Sequence, residues 1–574
     1  MNAAAQGLVR LPVWRARLVL AALLSAFAVL VARALYLQAL ETDFLQEKGD
    51  ARYSRVIEAP ATRGRILDRH GHALAVSTPV KSVWAIPADA AELAAGDRKK
   101  LAALLGLGRA ELETKLADVS RDFVYLKRQV PPETADAIAA LGLNGIHQHR
   151  EFRRYYPSGE VTAHVIGFTG VDDAGQEGIE LAFQQHLGGK PGSRRVIKDR
   201  LGRIVEDVES IRSSQDGRDL ALSIDGKLQS LAFGALKKAV ELHRAKAGAL
   251  VALDARTGEI LALVNVPSYN PNNRARTGAQ LRNRVITDLF EPGSTLKPFT
   301  IALALETGKV APSTLVSTAP GRMTIASYTI RDVHPEAALT VAQVIQKSSN
   351  VGAAKLALAM PREAMWDLYK RLGFGEAPQL GFPGAAAGKL RHYRGWRPIE
   401  QATMAYGMGI SVSLVQLARA YTVFARDGEL VPLTLVKTGT EVSGDKVLST
   451  GTARAVRAML ELAVQPGGTG PRARIMGWRV AGKTGTAHKL ENGGYAADRY
   501  LASFVGFAPA SAPRLVVAVM LDEPAAGQHY GGAVAAPVFA QVMQGALRML
   551  GAPHDAPLEP VELPGEGDEA KEST

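Results

Sequence analysis

Residues 291–300 read Glu-Pro-Gly-Ser-Thr-Leu-Lys-Pro-Phe-Thr, and this segment is the most informative in the chain. The Pro292-Gly293 pair predicts a turn, so Ser294 is expected where a helix begins. Lys297 follows three residues later and therefore lies on the same face of that helix. A serine hydroxyl is a weak nucleophile until a base takes its proton, and a lysine shielded from water can be that base. The segment thus predicts a nucleophilic serine whose backbone N–H, at the helix start, faces a developing oxyanion.

A serine and a lysine at this spacing occur by chance in a chain of this length, and Ser443 and Lys446 form a second pair. That pair lies in a polar turn with no helix to align it. Support for Ser294 comes from Ser348 and Asn350, which precede the mostly apolar segment 351–360. A hydroxyl at Ser348 can relay a proton to a leaving amine, and the amide of Asn350 can hold the substrate backbone. Each serine by itself would be interpreted as a helix cap.

The tetrapeptide Lys-Thr-Gly-Thr occurs twice, at 437–440 and at 483–486. The first copy runs into the polar segment 441–446, which predicts a surface hairpin with a solvated Lys437. The second copy follows two small residues and precedes, after a polar loop, the apolar strand 501–507. Small residues allow a strand to approach a neighbouring backbone closely, as a strand that lines a cleft must. We therefore assign the chemistry to the second copy.

In the second copy, Lys483 is expected to face the cleft, while the hydroxyls of Thr484 and Thr486 bind a carboxylate. His488 follows two residues later. It is interpreted as a loop histidine at the rim of the cleft, with substrate contact as the alternative.

Composition narrows the class of protein. The chain has 574 residues, enough for several domains, and 47% of them are hydrophobic, so a large core is feasible. It has no cysteine, which excludes disulfides, thiolate metal sites and a cysteine nucleophile. The net charge of +12 would suit nucleic acid, anionic lipid or an acidic polymer, and charge alone does not choose among them.

The N-terminal sequence favours a membrane protein. Residues 18–32 carry no charge, and after Arg33 the apolar pattern continues to Leu40, long enough to cross a membrane as a helix. Arginines precede this segment and acidic residues follow it, so the first residues are expected in the cytoplasm and the rest outside. A cleaved signal peptide is the alternative, because Ala32-Arg33-Ala34 has small residues at the cleavage spacing. Export argues against nucleic acid as a partner.

Beyond the anchor, residues 41–225 mix short strand patterns with basic turns and contain no catalytic constellation. From Asp225 onward, helical periodicity at 227–244 is followed by a hairpin of the strands 249–254 and 259–264. A second strand pair, 501–507 and 515–521, comes near the end, with helical segments between. Strands at both ends with helices in the middle predict an α+β domain around an antiparallel sheet. The tail from Gly551 has no core-forming pattern and is predicted to be disordered.

These motifs resemble the septal class B penicillin-binding proteins. The resemblance rests on five blocks in addition to the anchor: Arg63–Arg69, Arg154–Glu160, Arg284–Pro298, Lys347–Gly352 and Lys483–Ala487, with Tyr530–Val534 beyond them. It implies a serine β-lactamase-like transpeptidase domain of the α+β class at 226–550. It also implies a mixed α/β pedestal or dimerisation-type domain at 41–225, a transmembrane anchor at 18–40 after a cytoplasmic segment 1–17, and a tail at 551–574.

The resemblance also implies the activity, that of a serine-type D-Ala-D-Ala transpeptidase that cross-links peptidoglycan during division and is acylated by β-lactams. Ser294 would attack with Lys297 as its base, and Ser348 and Lys483 would pass a proton to the leaving D-alanine. Asn350 would hold the donor peptide. The strand residues Thr484, Gly485 and Thr486 would complete the substrate site.

The implied partners are peptidoglycan stem peptides, a glycosyltransferase of the FtsW type, other division proteins and the inner membrane, with the catalytic domain in the periplasm. No cofactor or metal is expected. The alternatives are an elongation-specific class B transpeptidase, a D,D-carboxypeptidase, a β-lactamase and a non-enzymatic division scaffold. The complete set of motifs argues against a scaffold, and no glutamate is identified that would serve a β-lactamase as its deacylating base.

Overall fold

A computed structural model describes residues 12–40, 54–198, 204–274, 278–491 and 494–561. By their internal contacts they fall into two compact units. The first unit comprises Met1–Thr62, Pro79–Glu151 and Gly189–Asp216, and the second comprises Arg63–Thr78, Phe152–Gly188 and Gly217–Thr574. The units interleave along the chain, so the linear boundary at residue 225 stays a prediction.

The helices of the described residues are α1 Val13–Leu35, α2 Pro87–Ala90, α3 Ala95–Leu105, α4 Arg109–Leu116, α5 Pro132–Ala140, α6 Ala163–Ile166, α7 Gly178–Ala182, α8 Gln184–Leu187, α9 Gly226–Leu242, α10 Arg284–Thr287, α11 Lys297–Glu306, α12 Val341–Gln346, α13 Asn350–Leu358, α14 Arg362–Arg371, α15 Pro398–Met404, α16 Leu414–Ala425, α17 Thr450–Leu462, α18 Gly531–Val534 and α19 Ala536–Met549.

The strands are β1 Ser54–Ala59, β2 Ile66–Leu67, β3 Ala73–Ala85, β4 Val124–Val130, β5 Ile146–Tyr155, β6 Phe168–Thr169, β7 Gly175–Glu177, β8 Gly192–Lys198, β9 Ile204–Arg212, β10 Leu220–Ala221, β11 Ala247–Asp254, β12 Ile260–Val266, β13 Leu315–Ser317, β14 Arg322–Ile325, β15 Tyr328–Arg331, β16 Ala338–Thr340, β17 Glu429–Leu430, β18 Asp445–Lys446, β19 Ala481–Glu491, β20 Gly494–Ala508 and β21 Leu515–Asp522.

Helix α1 carries no charged residue from Leu18 to Ala32, so this part is apolar on all sides, and the helix has no buried residue. Together with the following turn it forms the segment Val13–Gln38, the single helix among the described residues that is long and apolar enough to cross a membrane. An apolar surface all round a helix suits lipid rather than water. This helix therefore fits the membrane anchor predicted for 18–40. The predicted cytoplasmic segment lies largely outside the described residues.

The first unit contains a three-stranded antiparallel sheet in the order β1-β8-β9. A second apolar centre lies where the later half of β3 pairs with β4 and short helices cover the pair. Its buried members include Val83, Leu101, Leu105, Leu126 and Ile138. Two arginines of the basic turns in the region 41–225, Arg200 and Arg203, lie outside the described residues.

The second unit is built on a five-stranded antiparallel sheet in the order β12-β11-β21-β20-β19. Strand β11 pairs with β21, from Ala247 opposite Asp522 to Asp254 opposite Leu515, so the two ends of the domain meet in the middle of the sheet. This confirms the two strand pairs predicted from the sequence. Strand β20 is longer than predicted, since it begins at Gly494.

Helices cover both faces of this sheet. Helices α9 and α19 pack on one face and α16 packs on the other. Side chains of β11 alternate between the two layers: Val251 and Leu253 belong to the layer with α16, and Leu250 to the layer with α9. Helix α9, predicted at 227–244, begins after Asp225, whose carboxylate accepts from two backbone N–H groups as an N-cap. The α+β fold class is confirmed.

Two arginines of the basic motifs meet at one buried carboxylate in the second unit. Arg63 Nε and Arg154 Nε each donate to Glu180, at 2.6 Å in both cases, and all three side chains are buried. Removing one partner from such a buried group leaves an uncompensated charge, which costs about 3–5 kcal/mol. These two motif arginines therefore stabilise the fold of this unit.

The predicted disorder of the tail from Gly551 is wrong for residues 551–561. Pro553 O accepts a hydrogen bond from Trp478 Nε1 at 3.0 Å. The carboxylate of Asp555 accepts from the backbone N–H of Arg479 and from Ser511 Oγ, both at 2.7 Å. This segment has no hydrophobic periodicity, so its composition predicts disorder. Hydrogen bonds to residues distant in sequence hold it in place, and composition does not reveal such contacts. Residues 562–574 lie outside the described residues.

Candidate active site

Ser294 lies in a buried 3₁₀ turn, Gly293–Leu296, that leads directly into α11. Gly293 has φ of +57°, a left-handed conformation that favours glycine. The turn is held from both sides, because Tyr421 Oη donates to Thr295 O at 2.7 Å and Gly293 N donates to Gly407 O at 3.3 Å. Ser294 is 2% exposed. The predicted position at a helix start is confirmed, with a 3₁₀ turn preceding the helix.

Lys297 connects the two predicted serines. Its Nζ donates to Ser294 Oγ at 2.9 Å, to Ser348 Oγ at 3.0 Å and to Ser348 O at 2.5 Å. The side chain is completely buried. These three acceptors match the three protons of an ammonium group, while burial disfavours its charge. A neutral amine at the same place would accept the proton of Ser294 Oγ.

Ser348 adopts a conformation that is rare for serine, with φ of +60°. Such a residue carries strain of about 1–3 kcal/mol and persists only where its surroundings impose it. Here the conformation lets both the carbonyl and the hydroxyl of Ser348 face Lys297 Nζ. The 54-residue separation from Ser294 is closed by the packing of α11 against α13.

Asn350 is the first residue of α13, and Asp332 holds it there. The Asp332 carboxylate accepts from Asn350 N at 2.6 Å, from Val351 N at 3.0 Å and from Ser349 Oγ at 2.6 Å. The Asn350 side chain donates to Arg331 O at 3.3 Å, and its Oδ1 is buried without a hydrogen-bond partner in the described residues. An unpartnered buried amide oxygen is available to a ligand N–H.

Lys483 is also completely buried, in the strand β19. Its Nζ donates to Thr484 Oγ1 at 3.1 Å and to Thr469 Oγ1 at 3.2 Å, and the two threonine hydroxyls are 2.7 Å apart. Thr469 and Asp332 are functional candidates that sequence reasoning missed. Neither belongs to a local motif, and no spacing rule links them to the residues that they hold.

Strand β19 approaches the serine turn closely at Gly485. A Cβ at this position would lie 2.5 Å from Ser503 Oγ, 2.9 Å from Thr295 Cγ2 and 3.0 Å from Pro292 O. Only glycine fits in this space, so the predicted site residue Gly485 acts by allowing contact between the strand and the turn. Beside it, Thr486 Oγ1 accepts from Gly531 N at 3.0 Å.

The first Lys-Thr-Gly-Thr copy has a different environment. Lys437 is exposed, as predicted, but the predicted hairpin is wrong, because β18 pairs with β17 rather than with the segment before Lys437. The backbone N–H groups of Thr438 and Gly439 donate to the buried carboxylate of Glu259, at 2.7 and 2.9 Å. This copy therefore binds an internal carboxylate and contributes to the fold.

His488 lies within β19, opposite Tyr500 of β20, so its predicted position in a loop is wrong. The strand continues past the motif because β20 starts seven residues earlier than predicted and pairs with it. The ring is half-buried, and its Nδ1 lies 2.9 Å from Ala496 O.

Comparisons with known proteins find matches for both parts of the chain. The model of the penicillin binding protein transpeptidase domain matches residues 248–544, and that of the penicillin-binding protein dimerisation domain matches residues 58–222. The chain is 46% identical to the peptidoglycan D,D-transpeptidase FtsI of Escherichia coli (strain K12) over 95% of this chain and 93% of that protein. It is also 46% identical to the probable peptidoglycan D,D-transpeptidase PenA of Neisseria gonorrhoeae, over 95% and 94%.

Among solved structures, the apo transpeptidase domain of penicillin-binding protein 3 from Burkholderia pseudomallei is similar, with a TM-score of 0.55 and 51% identity. The match covers 58% of this chain and 98% of that one.

Proposed function

The chain belongs to the penicillin-binding protein transpeptidases, the family predicted from its motifs, and on this basis we propose that it cross-links peptidoglycan at the division septum through an acyl-enzyme on Ser294. The substrate is a stem peptide that ends in two D-alanines. β-Lactams acylate the same serine in place of the substrate.

In the acylation step, the neutral amine of Lys297 takes the proton from Ser294 Oγ as this oxygen attacks the carbonyl between the two D-alanines. The negative charge that develops on the carbonyl oxygen is stabilised by the backbone N–H groups of Ser294 and Thr486. As the peptide bond breaks, Ser348 and Lys483 deliver a proton to the nitrogen of the departing D-alanine. The products are an ester on Ser294 and free D-alanine.

In the second step, a side-chain amine of a neighbouring stem peptide attacks this ester. The amine loses a proton, Ser294 Oγ regains one, and an amide links the two peptides. During both steps the Asn350 side chain binds the donor backbone. The hydroxyls of Thr484 and Thr486 bind the terminal carboxylate, beside Gly485.

The hydrogen bonding of Lys297 is the observation that carries this proposal. Its Nζ lies 2.9 Å from the oxygen that must lose a proton and 3.0 Å from Ser348 Oγ, the oxygen proposed to pass one on. A candidate base must lie within hydrogen-bond reach of the proton that it takes, and this amine does.

A β-lactamase would need a base that delivers water to the ester. Glu291, three residues before Ser294, is a half-buried carboxylate in the right part of the chain, and burial raises its pKa. However, its oxygens accept from Gly409 N at 2.7 Å and from Tyr495 Oη at 2.9 Å. These contacts give Glu291 a structural role, which favours a stable acyl-enzyme over rapid hydrolysis.

We propose further that α1 anchors the protein in the inner membrane, with its N-terminus in the cytoplasm and the catalytic unit in the periplasm. Arg15 and Arg17 at the start of the helix support this orientation. The family resemblance implies that a glycosyltransferase of the FtsW type supplies the glycan strands.

The test is intact-mass analysis and peptide mapping of the full-length protein in detergent after incubation with benzylpenicillin. We expect one penicillin on Ser294, no adduct in Ser294→Ala, and slower adduct formation in Lys483→Ala. Lys437→Ala is the matched control, since it changes the same residue of the same tetrapeptide, and it should acylate like the wild type. Penicillin consumption without an adduct would instead indicate a hydrolase. A folded protein that neither forms the adduct nor consumes the drug would favour the scaffold.

A further inference from the structure

Four aromatic rings form a continuous row beside the Lys483–Thr486 segment, and we call them the rim stack: His488, Tyr500, His529 and Tyr530. Neighbouring ring centroids lie 4.6, 4.0 and 4.4 Å apart along this row. The row is linked to strand β19 through Gly531, the residue after Tyr530, whose N–H donates to Thr486 Oγ1 at 3.0 Å. All four rings are half-buried, so one side of the rim stack is open to solvent.

His488 occupies a defined place on this strand. Side chains of a strand alternate between its two faces, so Thr484, Thr486 and His488 follow one another on the same face of β19. The two threonines are those proposed to bind the terminal carboxylate of the substrate. The imidazole therefore comes next along the same face. In the proposed binding mode, the donor peptide would run along this face away from its terminal carboxylate.

The protonation of His488 decides what it offers to a ligand. Its Nδ1 lies 2.9 Å from Ala496 O, and since a carbonyl only accepts, Nδ1 carries a proton. In the neutral ring Nε2 is then an acceptor, and it becomes a donor only when the ring is charged. No hydrogen-bond partner of Nε2 is found in the described part of the chain. Neutral His488 thus repels an anion at Nε2, and charged His488 binds one.

Neighbouring titratable groups set the electrostatic surroundings of His488. The next residue, Lys489, is paired with the carboxylates of Asp522 and Glu523. Burial lowers the pKa of His529, and the charge on His488 lowers it further. The titratable groups along the rim stack are Tyr500 of β20 and, from the loop before α18, His529 and Tyr530. Strand β20 also carries Asp498 and Arg499, both exposed, and Tyr495, which is bonded to Glu291.

We propose that His488 is a pH-dependent specificity residue that binds a second anionic group of the donor peptide, in addition to the terminal carboxylate bound by the threonines. This inference rests on the proposed function and deepens it. The ligand class is a stem peptide, or a β-lactam, with a carboxylate on its side chain. The neutral imidazole disfavours this carboxylate, and the imidazolium forms a charged hydrogen bond with it.

Two penicillins test the proposal, because carbenicillin differs from benzylpenicillin by one side-chain carboxylate. The second-order rate of Ser294 acylation is measured for both compounds with the full-length protein in detergent, from about pH 8 to about pH 6, the range in which histidine titrates. The ratio of the carbenicillin rate to the benzylpenicillin rate is expected to rise about fivefold when the pH is lowered. This factor corresponds to the interaction strength of a half-exposed ion pair. Using a ratio cancels effects of pH on the shared chemistry.

Three variants make the test specific. His488→Phe keeps the stacking on Tyr500 and should remove the pH dependence of the ratio. His488→Arg, which is charged at every pH, should give a high ratio throughout. His554→Phe is the matched control and should behave like the wild type, because His554 also stacks on an aromatic ring, Trp478 at 4.2 Å, and contacts a carbonyl through Nδ1.

A ratio that does not change with pH in the wild type, or that still changes in His488→Phe, overturns the inference. If His488→Phe fails to fold, His488→Arg decides, since a low ratio in that variant also overturns it. In each of these cases benzylpenicillin still acylates Ser294, and the proposed function stands. Acylation by neither compound overturns the proposed function, and the inference with it.

Discussion

Replacement of Asp332 tests whether a residue outside the three motifs sets the geometry of the second one. Its carboxylate accepts three hydrogen bonds, from Asn350 N, Val351 N and Ser349 Oγ. It therefore caps α13 directly after Ser348. The substitution Asp332→Ala leaves two N–H groups at a buried helix start without an acceptor.

The cost can be worked from these contacts. Loss of an N-cap costs about 1–2 kcal/mol, and a hydrogen bond to a charged group contributes about 1.5–3 kcal/mol. We expect Asp332→Ala to lower the free energy of unfolding by about 3 kcal/mol. Asp332→Asn keeps one acceptor oxygen and should lose about 2 kcal/mol. If Ser348 and Asn350 shift as a result, and the whole of this free energy is lost from the transition state of acylation, acylation in Asp332→Asn slows by up to about 30-fold.

The assay is stopped-flow acylation by a chromogenic or fluorescent penicillin, together with thermal unfolding. Asp367→Asn is the matched control, because Asp367 is exposed on α14 and should leave both measurements unchanged. We expect a larger effect in Asp332→Ala than in Asp332→Asn on both measurements. Acylation at the wild-type rate in Asp332→Ala, with an unchanged melting temperature, would refute it.

Three further predictions concern the strand and the fold. Thr469→Val removes a hydroxyl that accepts from Lys483 Nζ, so acylation should slow about tenfold in the same assay while the melting temperature is kept. Gly485→Ala places a methyl group 3.0 Å from Pro292 O, a backbone atom that cannot rotate away. The rate of acylation should therefore fall by about 10- to 100-fold. A wild-type rate would show that the strand and the serine turn do not need this close contact. Burial lowers the pKa of His164 to about 4, so this ring is neutral in the folded state, whereas in the unfolded chain it takes up a proton below about pH 6.5. Stability is therefore lost as the pH falls from about 6.5 to 4, by about 3 kcal/mol more than in His164→Gln, as denaturant titrations at several pH values would measure.

The sequence alone determined those features that depend on near neighbours. The spacing of Ser294 and Lys297 brings them together, because residues three apart on a helix share a face, and their 2.9 Å contact follows from it. The alternation and helical periods likewise predicted α9, the strands β11 and β12 and the pair β20 and β21. The motif blocks identified the family, since several short patterns in a fixed order rarely coincide.

The two Lys-Thr-Gly-Thr copies mark the limit of local information. Their sequences are identical, and only the surrounding segments favoured the second copy for catalysis. Tertiary contacts decided the details: one copy is a loop around the buried carboxylate of Glu259, and the other is a strand whose lysine is completely buried. The same contacts made His488 part of a strand rather than a loop.

Only the tertiary structure could reveal Asp332 and Thr469, or bring Ser348 to Lys297. These residues are distant in sequence from their partners, and a carboxylate or a hydroxyl gains its role from the groups that face it. Burial, the identity of hydrogen-bond partners and the strained φ of Ser348 all depend on packing between α11, α13 and the sheet. The chain therefore encodes the chemical groups locally, while long-range packing sets their distances, because no bonded constraint extends over 54 residues.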